Sequence, residues 1–242
     1  MNEETIELGQ GKTARRIPVV RVHTLVLGSG AAGLNAAAQL HLSGVRDLLI
    51  VTEGLNMGTS INAGSDKQTY YKLSLCGDEA DSPRAMAESL CSSGSMHGDL
   101  ALVESSGSVR GFMNLVNLGV PFPRDEFGQF VGYRTDHDLR QRASSVGPHT
   151  SKEMCLRLID QVRRLEIPIR EGRTAVELVT VGGKYPRAIG FVAVDDRGEV
   201  EGYLCENLVF AVGGPGGLYK TSVYPLAQRG SIGLALMAGL LR

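Results

Sequence analysis

An α/β fold around a parallel sheet is predicted by three observations on this 242-residue chain. First, two short apolar runs, residues 23–27 and 48–51, flank a helical pattern, and the connections are as short as a β-α-β unit requires. Second, strand-like runs return over residues 167–181, 188–195 and 200–212, separated by Gly182-Gly183 and Asp196-Arg197-Gly198. Third, glycine supplies 31 of 242 residues, nearly twice the usual share of roughly 7%. Without a collagen-like period, such an excess marks tight turns and close approaches of backbone to ligand.

Taken in order, residues 1–18 read as a tail or an early edge strand, and the run 23–27 as the first firm strand, stopping at Gly28. A helix follows through Leu34, Ala36, Ala37, Ala38 and Leu40 to Gly44, and residues 48–51 form a buried strand that ends at Thr52-Glu53. Residues 54–81 are polar and lack a period. Helices are expected from Pro83 to about Ser95, from Asp99 as N-cap to Gly119, and from a capping box at Thr150-Ser151-Lys152-Glu153 into Met154, Leu158, Ile159, Val162 and Leu165. A last helical pattern covers residues 232–241 and stops without a terminator, from which a truncated chain is expected.

Composition narrows the function. Lys and Arg total 25 against 26 Asp and Glu, a net charge of −1, so nothing electrostatic calls for nucleic acid or an anionic membrane as partner. Hydrophobic residues at 43% and charged residues at 21% make an ordinary globular chain, long enough for one large domain or two small ones. Cys76, Cys91, Cys155 and Cys205 are far apart, with no C-x-x-C and no nearby His pair; they read as reduced thiols, and no metal site is expected. No apolar run approaches the roughly 18 residues of a bilayer span, and the short run 17–20 behind Arg15-Arg16 is too brief for a secretory signal. A cytoplasmic location is expected.

Between the first strand and the first helix stands Gly28-Ser29-Gly30-Ala31-Ala32-Gly33, which is G-x-G-x-x-G in the setting that gives it meaning. Gly28 permits the tight turn, Gly30 the approach of a pyrophosphate, and Gly33 close packing of helix on strands. The N–H groups near Ala31 and Ala32, at the positive end of the helix dipole, would bind the phosphates. Glu53 lies 53 − 33 = 20 residues past the last glycine, where a carboxylate accepts ribose hydroxyls and repels a 2′-phosphate. FAD or NAD is thereby favoured over NADP, and the fold becomes a Rossmann-type FAD/NAD(P)-binding sheet with a helix layer.

Residues 24–53 resemble the N-terminal fingerprint of the succinate dehydrogenase/fumarate reductase flavoprotein family, which includes L-aspartate oxidase. The family's small, hydroxyl-rich, flavin-wrapping stretch resembles Thr59-Ser60-Ile61-Asn62-Ala63-Gly64-Ser65, and its adenine-contacting strand resembles residues 173–178 with Ala175 at the contact position. Its Ala-Thr-Gly-Gly motif resembles Ala211-Val212-Gly213-Gly214, followed by Gly216-Gly217-Leu218-Tyr219. The resemblance implies FAD as cofactor and a β-meander inserted at residues 170–205. It also implies hydride transfer between flavin and a C–C or C–N bond beside a carboxylate or carbonyl, on a small-molecule substrate.

Departures from the family matter too. Gly58 stands where membrane-complex members carry the His that bonds FAD covalently, so non-covalent FAD is expected. The family's Thr-Gly-Asp-Gly turn falls on Gln228-Arg229-Gly230-Ser231 and lacks its carboxylate. Family members run to about twice this length, and the capping domain, the second flavin-binding segment and the catalytic residues are expected beyond Arg242. The expected organisation is a tail at residues 1–20 and the first segment of an FAD-binding domain at residues 21–242.

Other clusters read more plainly. Arg134 to Arg142 reads as a solvated loop with internal ion pairs, with a substrate-facing patch as the alternative, and no metal site is expected from Asp136, His137 and Asp138. His149 reads as a loop histidine, while Asp66 and Lys67 follow the flavin-wrapping stretch and leave a polar role near the flavin open. Two other functions stay open: an NAD-dependent dehydrogenase, and a truncated non-catalytic FAD-binding fragment.

Overall fold

A computed structural model describes residues 3–8, 15–64, 68–77, 79–136, 138–214, 216, 220–221, 224 and 231–240. The chain divides into two compact units, Met1–Ala63 with Leu158–Arg242, and Gly64–Arg157.

The first unit is built on β1 (Glu3–Leu8), β2 (Arg15–Leu27), α1 (Ala31–Leu42), β3 (Leu48–Val51) and the short α2 (Thr59–Asn62). It continues with β7 (Ile169–Arg170), β8 (Arg173–Val181), β9 (Arg187–Asp195), β10 (Val200–Phe210) and α6 (Gly233–Met237). Seven strands form one sheet in the order β7-β3-β2-β10-β9-β8, with β1 antiparallel on the first half of β2. β7, β3, β2 and β10 run parallel, while β8, β9 and β10 form an antiparallel meander. The expected α/β fold is the observed one.

Both sheet faces are covered. Leu25, Leu27, Leu49, Val51, Phe191, Ala193 and Tyr203 share one buried cluster with Ala235 of α6. Val26 and Ile50, which alternate with them and so point the opposite way, are also fully buried. α1 is pressed close by Leu34, Ala37 and Ala38, all without exposure, and packs on β2, β3 and β10. Small residues on that helix let its axis approach the strands.

Several boundaries differ from expectation. The first strand begins at Arg15, because pairing with β1 extends it backwards. The run 167–181 is cut in two by Gly172, which sits at φ +69° in the turn between β7 and β8. The last helix is only Gly233–Met237, and it ends in a turn at Gly239 with φ +73°.

The second unit comprises β4 (Tyr70–Tyr71), α3 (Pro83–Cys91), α4 (Gly98–Asn117), β5 (Tyr133–Thr135), β6 (Asp138–Ser144) and the first half of α5 (Thr150–Arg164). Its three-stranded antiparallel sheet has the order β4-β6-β5. Ser82 Oγ caps α3 by accepting the Ala85 N–H at 3.1 Å, with Pro83 in the first turn. Asp99 is not the cap of α4: His97 holds that position without a side-chain bond, and Asp99 sits in the first turn.

The capping box at Thr150 does not form either. The Glu153 N–H is taken by the His149 carbonyl at 2.9 Å, and the Thr150 hydroxyl accepts the Val146 N–H and donates to the Gly147 carbonyl. A turn at 145–150 has captured the hydroxyl, a competition open to any Thr at a helix entrance. Arg134 to Arg142 is not a solvated loop: it spans β5 and β6, and Arg142 is fully buried. His137 lies outside the described residues, and among those described no group of His, Cys, Asp and Glu could hold a metal ion.

Candidate functional site

In the first unit the parallel strands β2, β3 and β10 end together at Leu27, Val51 and Phe210. A crevice at such carboxyl ends is where open α/β sheets bind ligands. Two backbone bonds tie the ends together: the Gly28 N–H donates to the Val51 carbonyl and the Ala211 N–H to the Leu27 carbonyl, each at 2.9 Å. A cavity of about 340 Å³ opens there.

The glycines of the turn are required by what surrounds them. Gly28 has φ +105°, and a Cβ on it would overlap the Ala211 carbonyl. A Cβ on Gly33 would overlap the Gly28 carbonyl and come within 3.3 Å of the Ala211 Cβ. Gly30 and Gly58 pass close to one another, since a Cβ on Gly58 would lie 3.7 Å from the Gly30 Cα. This brings the start of α2 against the start of α1, where Ser60 Oγ accepts the Ala31 N–H at 3.1 Å. Among the described residues nothing accepts the Ala32 N–H, which leaves a helix-start donor open beside a backbone stripped of Cβ atoms. That is the cradle an anion requires.

Glu53 follows β3 and lines the cavity half-buried, and no described residue hydrogen-bonds to its carboxylate. Ser29 lines the same space but points its hydroxyl into protein. Ser29 Oγ lies 2.7 Å from Thr52 Oγ1 and donates to the Gly54 carbonyl at 3.3 Å, while Thr52 Oγ1 accepts the Gly54 N–H at 3.3 Å. Because the Ser29 proton goes to Gly54, Thr52 donates to Ser29, and the three bonds close a ring.

Arg173, which also lines the cavity, places Nε and Nη2 on the two oxygens of Glu201 at 3.1 and 3.0 Å. Arg170 joins the same carboxylate at 3.2 Å and the Tyr203 hydroxyl donates to it at 2.6 Å. Burial, reinforced by Glu201, pushes the Tyr203 phenol up to about 12, so it remains a donor. Burial alone would raise the Glu201 carboxyl, but the Arg173 and Tyr203 bonds outweigh it and hold it below its ordinary value.

Of the residues expected from sequence, Gly28, Ser29, Gly30, Ala31, Ala32, Glu53, Gly58, Thr59, Ser60, Ala175, Ala211 and Gly213 line this one cavity. Gly33 stands behind it, and Ala63 and Gly214 are outside its lining. Gly64 belongs to the second unit, beside Pro148 and His149, and Ser65, Asp66 and Lys67 lie outside the described residues.

Leu27, Thr52, Gly54, Met57, Arg173, Phe210, Val212 and Ser231 also line the cavity and were not named as site residues from sequence. A hydroxyl at the strand end directly before the acid was a usable signal for Thr52. Arg173 opens the strand matched to the family's adenine-contacting strand, but the placement of its side chain depends on Glu201, 28 residues away.

The family model described as "FAD binding domain" matches residues 23–241. Among curated proteins, the chain is 29% identical over 230 residues to L-aspartate oxidase of Caulobacter vibrioides, covering 89% of this chain and 42% of that one. It is 27% identical over 219 residues to L-aspartate oxidase of Bacillus subtilis, covering 88% of this chain and 39% of that one. The chain therefore spans under half the length of these relatives. Among solved structures, the Mycobacterium smegmatis Sdh1 complex in its apo form superposes with a TM-score of 0.79 at 20% identity, over 91% of this chain and 39% of that one. The E. coli quinol fumarate reductase FrdA gives 0.75 at 18% identity, over 90% and 37%.

Proposed function

The chain belongs to the FAD binding domain family, and from that membership we propose that its crevice holds FAD non-covalently, in an oxidoreductase of the succinate dehydrogenase/fumarate reductase type. The observation that carries this reading is the convergence of the glycine turn, residues 58–60, Glu53, Ala175 and residues 211–213 on one cavity.

In this reading the open Ala32 N–H and the Cβ-free backbone of Gly28 and Gly30 hold the pyrophosphate, while the Ala31 N–H, expected from sequence to do the same, is held by Ser60 Oγ. Glu53 accepts ribose hydroxyls, and Ala175 leaves room for adenine. Gly58, Thr59, Ser60 and Ala63 wrap the flavin, joined by Ala211, Gly213 and Gly214, and Gly33 keeps α1 close enough for all of this. Bound FAD supplies hydride transfer to or from a C–C or C–N bond beside a carboxylate or carbonyl. Gly58 offers no nucleophile for a covalent flavin link. Residues 21–242 then form the first segment of an FAD-binding domain, and the substrate is a small carboxylate, in line with the names of the relatives. No helix among the described residues is long and apolar enough to cross a membrane, and a cytoplasmic location belongs to this reading.

The test is the visible spectrum of the purified protein after incubation with FAD and desalting, followed by acid precipitation. Flavin retained on the protein and released into the acid supernatant is the expected result. A colourless folded protein would overturn FAD binding, and flavin in the pellet would overturn the non-covalent reading.

A further inference from the structure

Glu53 stands half-buried on the turn that follows β3, and a carboxylate that binds ribose must be held in register with the phosphate-binding turn. One anchor is already visible, the ring of hydroxyl bonds among Ser29, Thr52 and Gly54. A second comes from the other half of the chain. Between β7 and β8 the backbone reverses through Glu171 and Gly172, with Gly172 at φ +69°. The Gly172 N–H donates to the Glu53 carbonyl at 3.2 Å, and the Arg173 N–H to the Thr52 carbonyl at 3.1 Å. Glu171 reaches over the same turn, and its Oε2 accepts the Leu55 N–H at 2.9 Å. Glu171 and Leu55 are 116 residues apart in sequence.

The reversal is itself held rigid. Arg173 is clamped on Glu201 through two nitrogens, and its Nη1 donates to the Glu171 and Gly172 carbonyls, each at 3.2 Å. Thus a carboxylate that does not line the cavity is carried by a fixed turn and grips the amide two residues past Glu53. That amide has no other described acceptor.

We propose that Glu171 is a positioning residue, which fixes the Glu53 turn through the Leu55 N–H and thereby sets affinity for the adenosine end of the dinucleotide. The proposal rests on the FAD reading above. Glu171 does not touch the ligand; it acts by restricting the backbone that presents Glu53.

Two measurements on the whole protein separate this proposal from the reading it rests on. The first needs no cofactor: amide hydrogen exchange at Leu55 is slow in the wild type and faster in Glu171→Ala, while Glu171→Gln, which keeps an acceptor oxygen, restores protection. Unchanged Leu55 exchange in Glu171→Ala overturns the proposal whatever FAD does. The second is FAD affinity by titration. Glu171→Ala raises Kd about fivefold, the size expected for one hydrogen bond at a partly exposed site, and Glu171→Gln recovers most of it. In a Glu53→Ala background, Glu171→Ala adds little further loss. Full additivity of the two losses overturns the proposal. Should Glu171→Ala fold poorly, Glu171→Asp keeps the charge but withdraws the carboxylate by one methylene, and carries the same tests. If the wild type retains no FAD, the FAD reading falls, and the Leu55 exchange still decides whether Glu171 fixes the turn.

Discussion

Arg142 sets Nε and Nη2 on the two carboxylate oxygens of Asp81, at 2.9 and 2.6 Å, with its own side chain fully withdrawn from solvent. Its Nη1 reaches Asp138 Oδ2 at 2.8 Å, Ser89 Oγ at 2.9 Å and the Tyr71 hydroxyl at 3.1 Å, and that hydroxyl donates in turn to Asp138. A buried cation with each of its three nitrogens engaged is costly to disturb from one side only. Arg142→Met, which strands two carboxylates, is expected to cost about 3–5 kcal/mol, read as a shift in urea midpoint.

The same cluster sets an acid limit. Burial would raise the Asp81 carboxyl, but Arg142 and the backbone N–H groups of Ser74 and Ser82 outweigh burial and hold it at about 2. A folded value below the unfolded one means that the unfolded chain binds more protons across that window. The contribution is therefore complete above about pH 4 and lost as pH falls toward 2, and it amounts to about 2 kcal/mol. Urea midpoints taken between pH 5 and pH 2 should fall more steeply for the wild type than for Asp81→Asn.

Lys72 presents the opposite case. It is fully buried, its Nζ has no hydrogen-bond partner among the described residues, and it rests 4.7 Å from the centre of the Phe112 ring. Burial lowers its pKa from 10.5, against an opposing effect of Cys76. The unfolded chain then holds the extra proton, so stability rises with pH up to about 10.5 through this group. Lys72→Met is expected to gain about 1–3 kcal/mol at pH 7 and to flatten that rise, both readable from urea midpoints at pH 7, 9 and 10.

Two glycine substitutions should part company. Gly33→Ala drives a methyl into the Gly28 carbonyl, so both FAD retention and thermal stability should drop. Gly107→Ala, within α4 and with nothing inside 4 Å of the new methyl, should gain about 0.5–1 kcal/mol. Melting curves of the two variants check both directions.

The legible part of the molecule was its locally encoded part. The glycine turn, the strand ends around it and Glu53 all sit within residues 23–53, where spacing alone fixes geometry, and all were placed from sequence. What escaped were features decided by distant partners. β5 and β6 hid in a charged stretch because the charges of Arg142, Asp138 and Asp81 are consumed by one another inside the protein. Thr150 matched a helix cap by pattern, yet its hydroxyl was claimed by the preceding turn. Nothing local marked Glu171, or the side chain of Arg173, as supports of residues 52–55; the β7–β8 reversal and Glu201 set them there.

The pairing of β2 with β10 also fixes an order of assembly. Thr24 lies opposite Asn207, and 207 − 24 = 183 residues separate these neighbours. At roughly 5–20 residues per second of synthesis, about 10–40 s pass before β2 meets that partner. Meanwhile β2 and β3 can pair, and residues 64–157 already hold all three strands of their own small sheet. Closing so distant a pair is slow, and it leaves an apolar strand edge open on the nascent chain, a target for chaperones. The crevice, whose wall includes Ala211, therefore cannot form before residue 211 has been made.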